Sequence, residues 1–454
     1  MAVVFEIKDG SEHLSSHSGL ALVGALLEHT NLKKRLNAVD LLRCDEPEIS
    51  HGDVVYAMLG LLSLGKSDFD AIEPFRADTF FSQAMGMEKC PSSSTLRQRF
   101  DLVQGAFDVL LKEESAGLIS RMAPPITAVE TTAGAFVPLD LDVSPFDNSK
   151  TKKEGVSRTY KGFDGYAPIF SYLGKEGYLV NLEFREGKQH CQENTPAFLE
   201  ESIRYSKQVT NQKLLVRMDA GNDSLDNVKV CIKGEVDWII KRNLRREDKH
   251  QWLELAKQEG ASTSPRPGKT IWRGSTYRNV SGVEQPLRIV FEVTERMITS
   301  KGQILAMPEI EVDSYWVSLD CPGYEAVLLY HDHGESEQFH SELKSDMDLE
   351  RLPSKYFATN ALVLLLGMIA YNILRICGQE SIRVANGALE KMPAYRRKAE
   401  RRRIKTVMQD LIYLACRIIR HSRKWLLSFG NFCQCAPLWR TIYERFTQPL
   451  AQGG

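Results

Sequence analysis

No excess of positive charge marks this sequence as a phosphate binder: 58 Lys and Arg stand against 59 Asp and Glu, a formal net charge of -1. A nucleic-acid partner would therefore have to be met by a local patch, because the chain average offers none. Cysteine supplies no framework. The nine cysteines are odd in number and scattered, apart from the pair Cys433 and Cys435. That excludes a disulfide scaffold and a zinc-spaced cluster, and it points to a reducing cytoplasm. The start, MAVVFEIKDG, has no basic stretch leading into a long apolar run, so no secretory signal is expected. Long hydrophobic runs reduce to one, residues 356–374, which contains Asn360 and Asn372. A buried core helix is expected there, with no membrane partner.

What the chain does have is enough material for several cores, with 454 residues of which 43% are hydrophobic. Residues 1–130 read as helical, with apolar faces at 20–27, 54–64 and 107–119. Within this region a Ser/Thr cluster at 92–95 caps a helix start bearing Arg97 and Arg99. Such a helix can enter a DNA major groove, although an ordinary capped surface helix looks the same. From 131 to 240 the pattern changes to strands at 135–142, 166–173 and 177–184, a helix at 197–205, and strands at 213–219 and 236–240.

Residues 241–322 read as a mostly β insertion: a helix, a Pro/Gly/Ser-rich loop at 262–269, then strands at 287–293, 304–307 and 315–319. Residues 323–375 would complete the core, and 376–454 read as a basic helical region. In that last region, residues 391–405 carry eight Lys or Arg against one Glu, including Arg396, Arg397, Arg401, Arg402 and Arg403. Apolar residues from Ile404 to Ile418 recur near helical spacing, so the run is expected on structured helices that present a patch to a phosphate backbone.

Three strands, a helix, a strand and a later helix carrying an acid is the ribonuclease-H-like α/β order. In such a mixed sheet the first and fourth strands are neighbours, so Asp142 and Asp219 meet although 77 residues separate them. Glu337 would complete a carboxylate triad. In-line attack on a phosphodiester needs an activated nucleophilic oxygen and a neutralised leaving oxygen, which two divalent ions about 4 Å apart supply. Hard oxygen ligands suit Mg²⁺ or Mn²⁺. The expected assignment has Asp142 shared between two ions, Asp219 on one and Glu337 on the other.

Three motifs carry a resemblance: Asp142 followed by Val143 and Ser144; Arg217, Asp219 and Gly221; and Tyr330, His333, Glu337 and Lys344. The sequence resembles the DDE transposases of bacterial insertion sequences, in the superfamily that includes the Tn-five transposase, and is most similar to the IS-thirteen-eighty group. His333 stands where that family carries Arg, which exchanges a fixed fork of donors for at most two. The resemblance implies binding of double-stranded DNA at terminal inverted repeats and at a target, a homodimer in the DNA complex, and cut-and-paste movement through a hairpin. It also implies DNA contacts at Tyr330, His333 and Lys344, and an insertion aromatic that stacks on a flipped base. Trp272, between Lys269 and Arg273, is the preferred candidate for that ring, with Trp316 assigned to the core. A nuclease without strand transfer, or a catalytically inactive DNA-binding repressor, are the alternative readings.

Overall fold

The computed structural model describes residues 3–41, 47–299, 301–387, 399–422 and 424–449. The chain divides into two compact units, one formed by Met1–Pro124 with Glu342–Gly454 and the other by Pro125–Ser341.

The second unit is built on a mixed sheet. Its strands are β1 (Gly134–Val143), β2 (Ile169–Leu173), β3 (Tyr178–Glu183), β4 (Leu214–Met218) and β5 (Asp237–Lys241), followed by β6 (Ala261–Arg266), β7 (Lys269–Arg278), β8 (Leu287–Ile298) and β9 (Ile304–Val317). The spatial order is β6-β7-β8-β9-β5-β4-β1-β2-β3. Strands β1, β4 and β5 run parallel, while β2 is antiparallel to β1 and β3 antiparallel to β2. Helices α1 (Thr195–Val209), α2 (Leu225–Lys233) and α3 (Lys249–Glu259) follow β3, β4 and β5. This is the ribonuclease-H-like arrangement. Strands β2 and β4 are buried at every position because they lie inside the sheet with both faces covered, which is why they read as mostly apolar runs without alternation.

The insertion extends this same sheet: β9 pairs antiparallel with β5, bringing Lys241 opposite Tyr315. Two expectations change here. The loop expected at 262–269 is a hairpin of β6 and β7, in which β6 is the outer strand; Pro265 is tolerated there and coincides with a register shift. Its turn needs Gly268, whose φ is +69° and where an added Cβ would lie 2.4 Å from Ile298. The separate strands expected at 304–307 and 315–319 form one strand, β9. The acidic residues between them hid it, but they sit in cross-strand ion pairs, Glu311 with Arg296 at 2.6 Å and Asp313 with Lys241 at 2.7 Å.

In the first unit, the helix Phe357–Gly387 is buried without a break from residue 362 to 381. It is a core helix, as its sequence predicts: its apolar surface continues all round, and Asn372 donates to Ser115 at 3.0 Å. The C-terminal region is not all helical. Cys416–His421 and Lys424–Phe429 form antiparallel strands, with Cys416–His421 also pairing with His13–Ser15. The helical spacing stops after Ile412; in Lys424–Phe429 half-buried positions alternate with exposed ones, the period of a strand.

Candidate active site

β1 places Asp140 and Asp142 two residues apart, hence on one face. Its parallel register with β4 sets Asp140 beside Arg217 and Leu141 beside Met218, so Asp142 and Asp219 are the next step along two adjacent strand ends. Asp140 and Arg217 form a buried two-pronged ion pair, Nε to Oδ1 at 2.6 Å and Nη2 to Oδ2 at 2.7 Å. The third guanidinium nitrogen donates to the Leu329 carbonyl at 2.7 Å, at the end of helix α4 (Gly323–His331). Arg217 therefore locks the two strands to the segment that leads to Glu337.

The two aspartates behave oppositely. Burial acts to raise the Asp142 pKa, but the hydrogen bond and field of His340, with His333 behind it, outweigh burial and hold it below the ordinary carboxylate value. Asp219 is held above that value by burial and by the charge of Asp142, against a 2.7 Å hydrogen bond donated by Asn222. Two carboxylates crowding one desolvated place is an arrangement that a cation relieves, and their hard oxygens fit a divalent ion. Gly221 lies against the same carboxylate, with both Asp219 oxygens 3.3 Å from where a Cβ would stand, which accounts for the small residue in that motif.

Glu337 lies at the start of α5 (Ser336–Ser341) and is exposed. Among the described residues no group of three His, Cys, Asp or Glu side chains is gathered closely enough to hold a metal. Asp142 and Asp219 stand at adjacent strand ends, and Glu337 follows later in the chain on α5. Tyr160 lies within the field of these groups, and its hydroxyl donates to the Val143 carbonyl at 3.1 Å. Desolvation, then the charges of Asp142 and Asp219, and beyond them Cys191 and Glu337, push its pKa up. The Tyr330 ring packs 4.8 Å from that of Tyr315, and burial followed by the charges of Asp219 and Asp142 raises its pKa.

His333 is buried, with Nδ1 3.1 Å from Asp140 Oδ1. In place of the expected phosphate contact it makes a carboxylate contact, on the same Asp140 that Arg217 holds. Burial acts to lower its pKa, yet the charge and contact of Asp140, together with Asp142, leave it raised. A raised folded-state pKa adds stability that is complete below the unfolded value, about 6.5, and fades as pH rises through the folded value. In EDTA, the unfolding free energy lost in His333→Gln should therefore be greatest in acid and shrink as pH rises above neutrality, as read by urea titration at several pH values. A loss that grows with pH would contradict the pairing.

The remaining expected residues divide. Arg97 is exposed on the capped helix Ser93–Val103, 3.4 Å from Asp70. Arg99 is not available to a groove: it is buried, donating to the Ile49 carbonyl at 3.1 Å and lying 2.7 Å from His51 Nδ1. Trp272 is half-buried within β7, opposite Val293, and its neighbour Arg273 bonds Glu292 at 2.6 Å. Lys344 falls in the π-helical turn Glu342–Asp346, which breaks the continuous α-helical register that would set it two turns beyond Glu337 on one face. Arg396 and Arg397 lie outside the described residues. Arg401 reaches Glu342 at 2.5 Å, Arg402 is buried 3.3 Å from Asp410, and Arg403 grips Asp346 at 2.8 and 2.9 Å. These three arginines serve internal carboxylates.

The sequence reading missed His340, Tyr160, Cys191 and Asn222. His340 had a usable signal, since it follows Glu337 by three residues and so shares its helical face.

The sequence profile of one family, described as transposase DDE domain group 1, matches residues 4–450. No curated protein matches the chain. Among solved structures, a cryo-EM structure of piggyBac transposase synaptic complex with hairpin DNA is similar at a TM-score of 0.41 and 11% sequence identity, over 96% of this chain and 82% of that one.

Proposed function

Because the chain belongs to the transposase DDE domain group 1 family, and is accordingly a DDE-type transposase, we propose that it binds insertion-sequence ends and catalyses metal-dependent cleavage followed by strand transfer in cut-and-paste transposition. The observation that carries this reading is the side-by-side placement of Asp142 and Asp219 at the ends of β1 and β4, with Asp219 under the charge of Asp142. Asp142, Asp219 and Glu337 would hold Mg²⁺ or Mn²⁺, as two ions with Asp142 common to both. A divalent ion bound there lowers the pKa of water and neutralises charge on a leaving oxygen. The chain's own part is placement. Asp140 and Arg217 fix the strand ends, and α5, held by His340 on Asp142, carries Glu337.

Double-stranded DNA, first the terminal inverted repeats and then the target, is the proposed substrate, held by a homodimer. Tyr330 and Lys344, flanking Glu337 in the sequence, Trp272 of the insertion, Arg97 of the capped helix, and Arg396 and Arg397 of the basic run are the proposed DNA contacts. The test uses labelled duplexes carrying the inverted repeats that flank the gene, with Mg²⁺ and a target plasmid. End cleavage with joined product is the expected result. Cleavage without joining would instead identify a nuclease, and binding without nicking an inactive repressor.

A further inference from the structure

His340 sits on α5 three residues after Glu337, and its side chain is buried. Its Nε2 lies 3.1 Å from Asp142 Oδ2, and its Nδ1 lies 3.1 Å from the Tyr172 hydroxyl. The ring is held in a slot between two aromatic rings of β2. Phe170 stands at 5.1 Å between centroids and 56° between planes, and Tyr172 at 5.3 Å and 66°. The register of β1 with β2 puts Phe170 opposite Asp142 and Tyr172 opposite Asp140. The sheet thus presents, from two adjacent strands, a carboxylate, the aromatic walls and the hydroxyl that surround one imidazole.

The hydrogen-bond roles follow from the chemistry of the three groups. An ionised carboxylate only accepts, so His340 Nε2–H donates to Asp142; in the neutral form of the ring, Nδ1 then accepts the Tyr172 O–H. Phe339, next to His340, anchors the same helix. Its ring lies 5.0 Å from Tyr172 and fills the space over Gly177, where φ is +71° and an added Cβ would come within 2.3 Å of the Phe339 ring.

We propose that His340 is a positioning residue for the reaction: through Nε2–H it holds the Asp142 carboxylate in the orientation that receives a divalent ion, and Tyr172 holds His340 in the tautomer that can do so. The proposal rests on the reading of Asp142 as a metal ligand. One side chain does two things at this site. It occupies Oδ2 of Asp142, which leaves Oδ1 to be aimed at the ion, and it docks α5 with Glu337 one turn away on the same face. Partners that orient ligating carboxylates change metal affinity about 10- to 100-fold when removed.

The test is Mn²⁺ binding to the full-length protein, followed by electron paramagnetic resonance, for wild type, His340→Asn, His340→Gln, Tyr172→Phe and Asp142→Asn. The glutamine amide nitrogen reaches the place of imidazole Nε2, whereas the shorter asparagine does not. His340→Asn is expected to bind Mn²⁺ about 10- to 100-fold more weakly, His340→Gln to stay near wild type, and Tyr172→Phe to fall between them. Near-UV circular dichroism checks that each variant is folded. Should His340→Asn be unfolded, Tyr172→Phe decides, since it keeps the imidazole and loses only the tautomer lock; undiminished affinity there overturns the proposal. Equal affinity of the Asn and Gln variants, with Asp142→Asn still weak, also overturns it. Wild-type affinity in Asp142→Asn would instead remove Asp142 from the ligand set, and the role of His340 would fall with it.

Discussion

Asp142→Asn, Asp219→Asn and Glu337→Gln are each expected to lower Mg²⁺-dependent end cleavage by about a thousandfold or more while leaving DNA binding largely intact. The size follows from the several kcal/mol that a bound metal contributes to charge stabilisation, at 1.36 kcal/mol per tenfold in rate. The three are separable without any activity measurement. Asp219 is held above the ordinary carboxylate value by burial and the charge of Asp142, so its ionised form strains the metal-free protein at neutral pH. Asp219→Asn should therefore raise the melting temperature in EDTA. Asp142 is held below the ordinary value despite burial, by His340 and His333, so Asp142→Asn should lower it. Glu337 is exposed, and Glu337→Gln should leave it nearly unchanged. Full Mg²⁺-dependent cleavage by any one variant removes that residue from the site, and a lower melting temperature for Asp219→Asn contradicts the crowding of the two carboxylates.

Arg217→Met is expected to destabilise the protein by about 3–5 kcal/mol, the cost of leaving a buried charge without its partner. The substitution keeps much of the side-chain volume but removes both bonds to Asp140 and the bond to the Leu329 carbonyl. His333 still faces Asp140 and softens the loss in acid, so the effect should be larger at high pH. Replacing Asp140 by Leu in the same chain should recover part of the loss, because the two positions are in contact and their effects do not add. Urea titration of the two single variants and the double variant measures the coupling. A cost of Arg217→Met below about 1 kcal/mol, the range of exposed ion pairs, would show that the pair does not secure the strand ends.

The pair of aspartates was legible because buried strands advertise themselves. In β1 and β4, mostly apolar residues lead up to an acid at the end, and the order of elements then makes those two strands neighbours. Arg217 was visible only as a motif letter. That it binds Asp140 depends on parallel register, which a sequence does not print. Arg99 looked equivalent to Arg97, but two residues along a helix turns the side chain from the surface to the interior. The arginines from 401 to 403 looked like a phosphate surface because their carboxylate partners, Glu342, Asp346 and Asp410, are supplied partly from distant sequence. The strands at 416–429 were hidden for a different reason. Apolar residues at 404, 407, 411 and 412 set a helical period that the eye carries onward past the point where the chain abandons it. His340 escaped notice because histidine at that spacing has no chemistry until the sheet supplies a carboxylate and a tyrosine for it.

The central claim is that Asp142, Asp219 and Glu337 hold one metal centre when DNA ends are bound. Anomalous scattering from Mn²⁺ in crystals of the complex with an end duplex tests it most directly. The account predicts a peak between the Asp142 and Asp219 carboxylates, with Glu337 drawn within about 2.2 Å of manganese, the range of carboxylate and water ligands to such ions. A complex with intact DNA ends and no Mn²⁺ peak between those two carboxylates would contradict it.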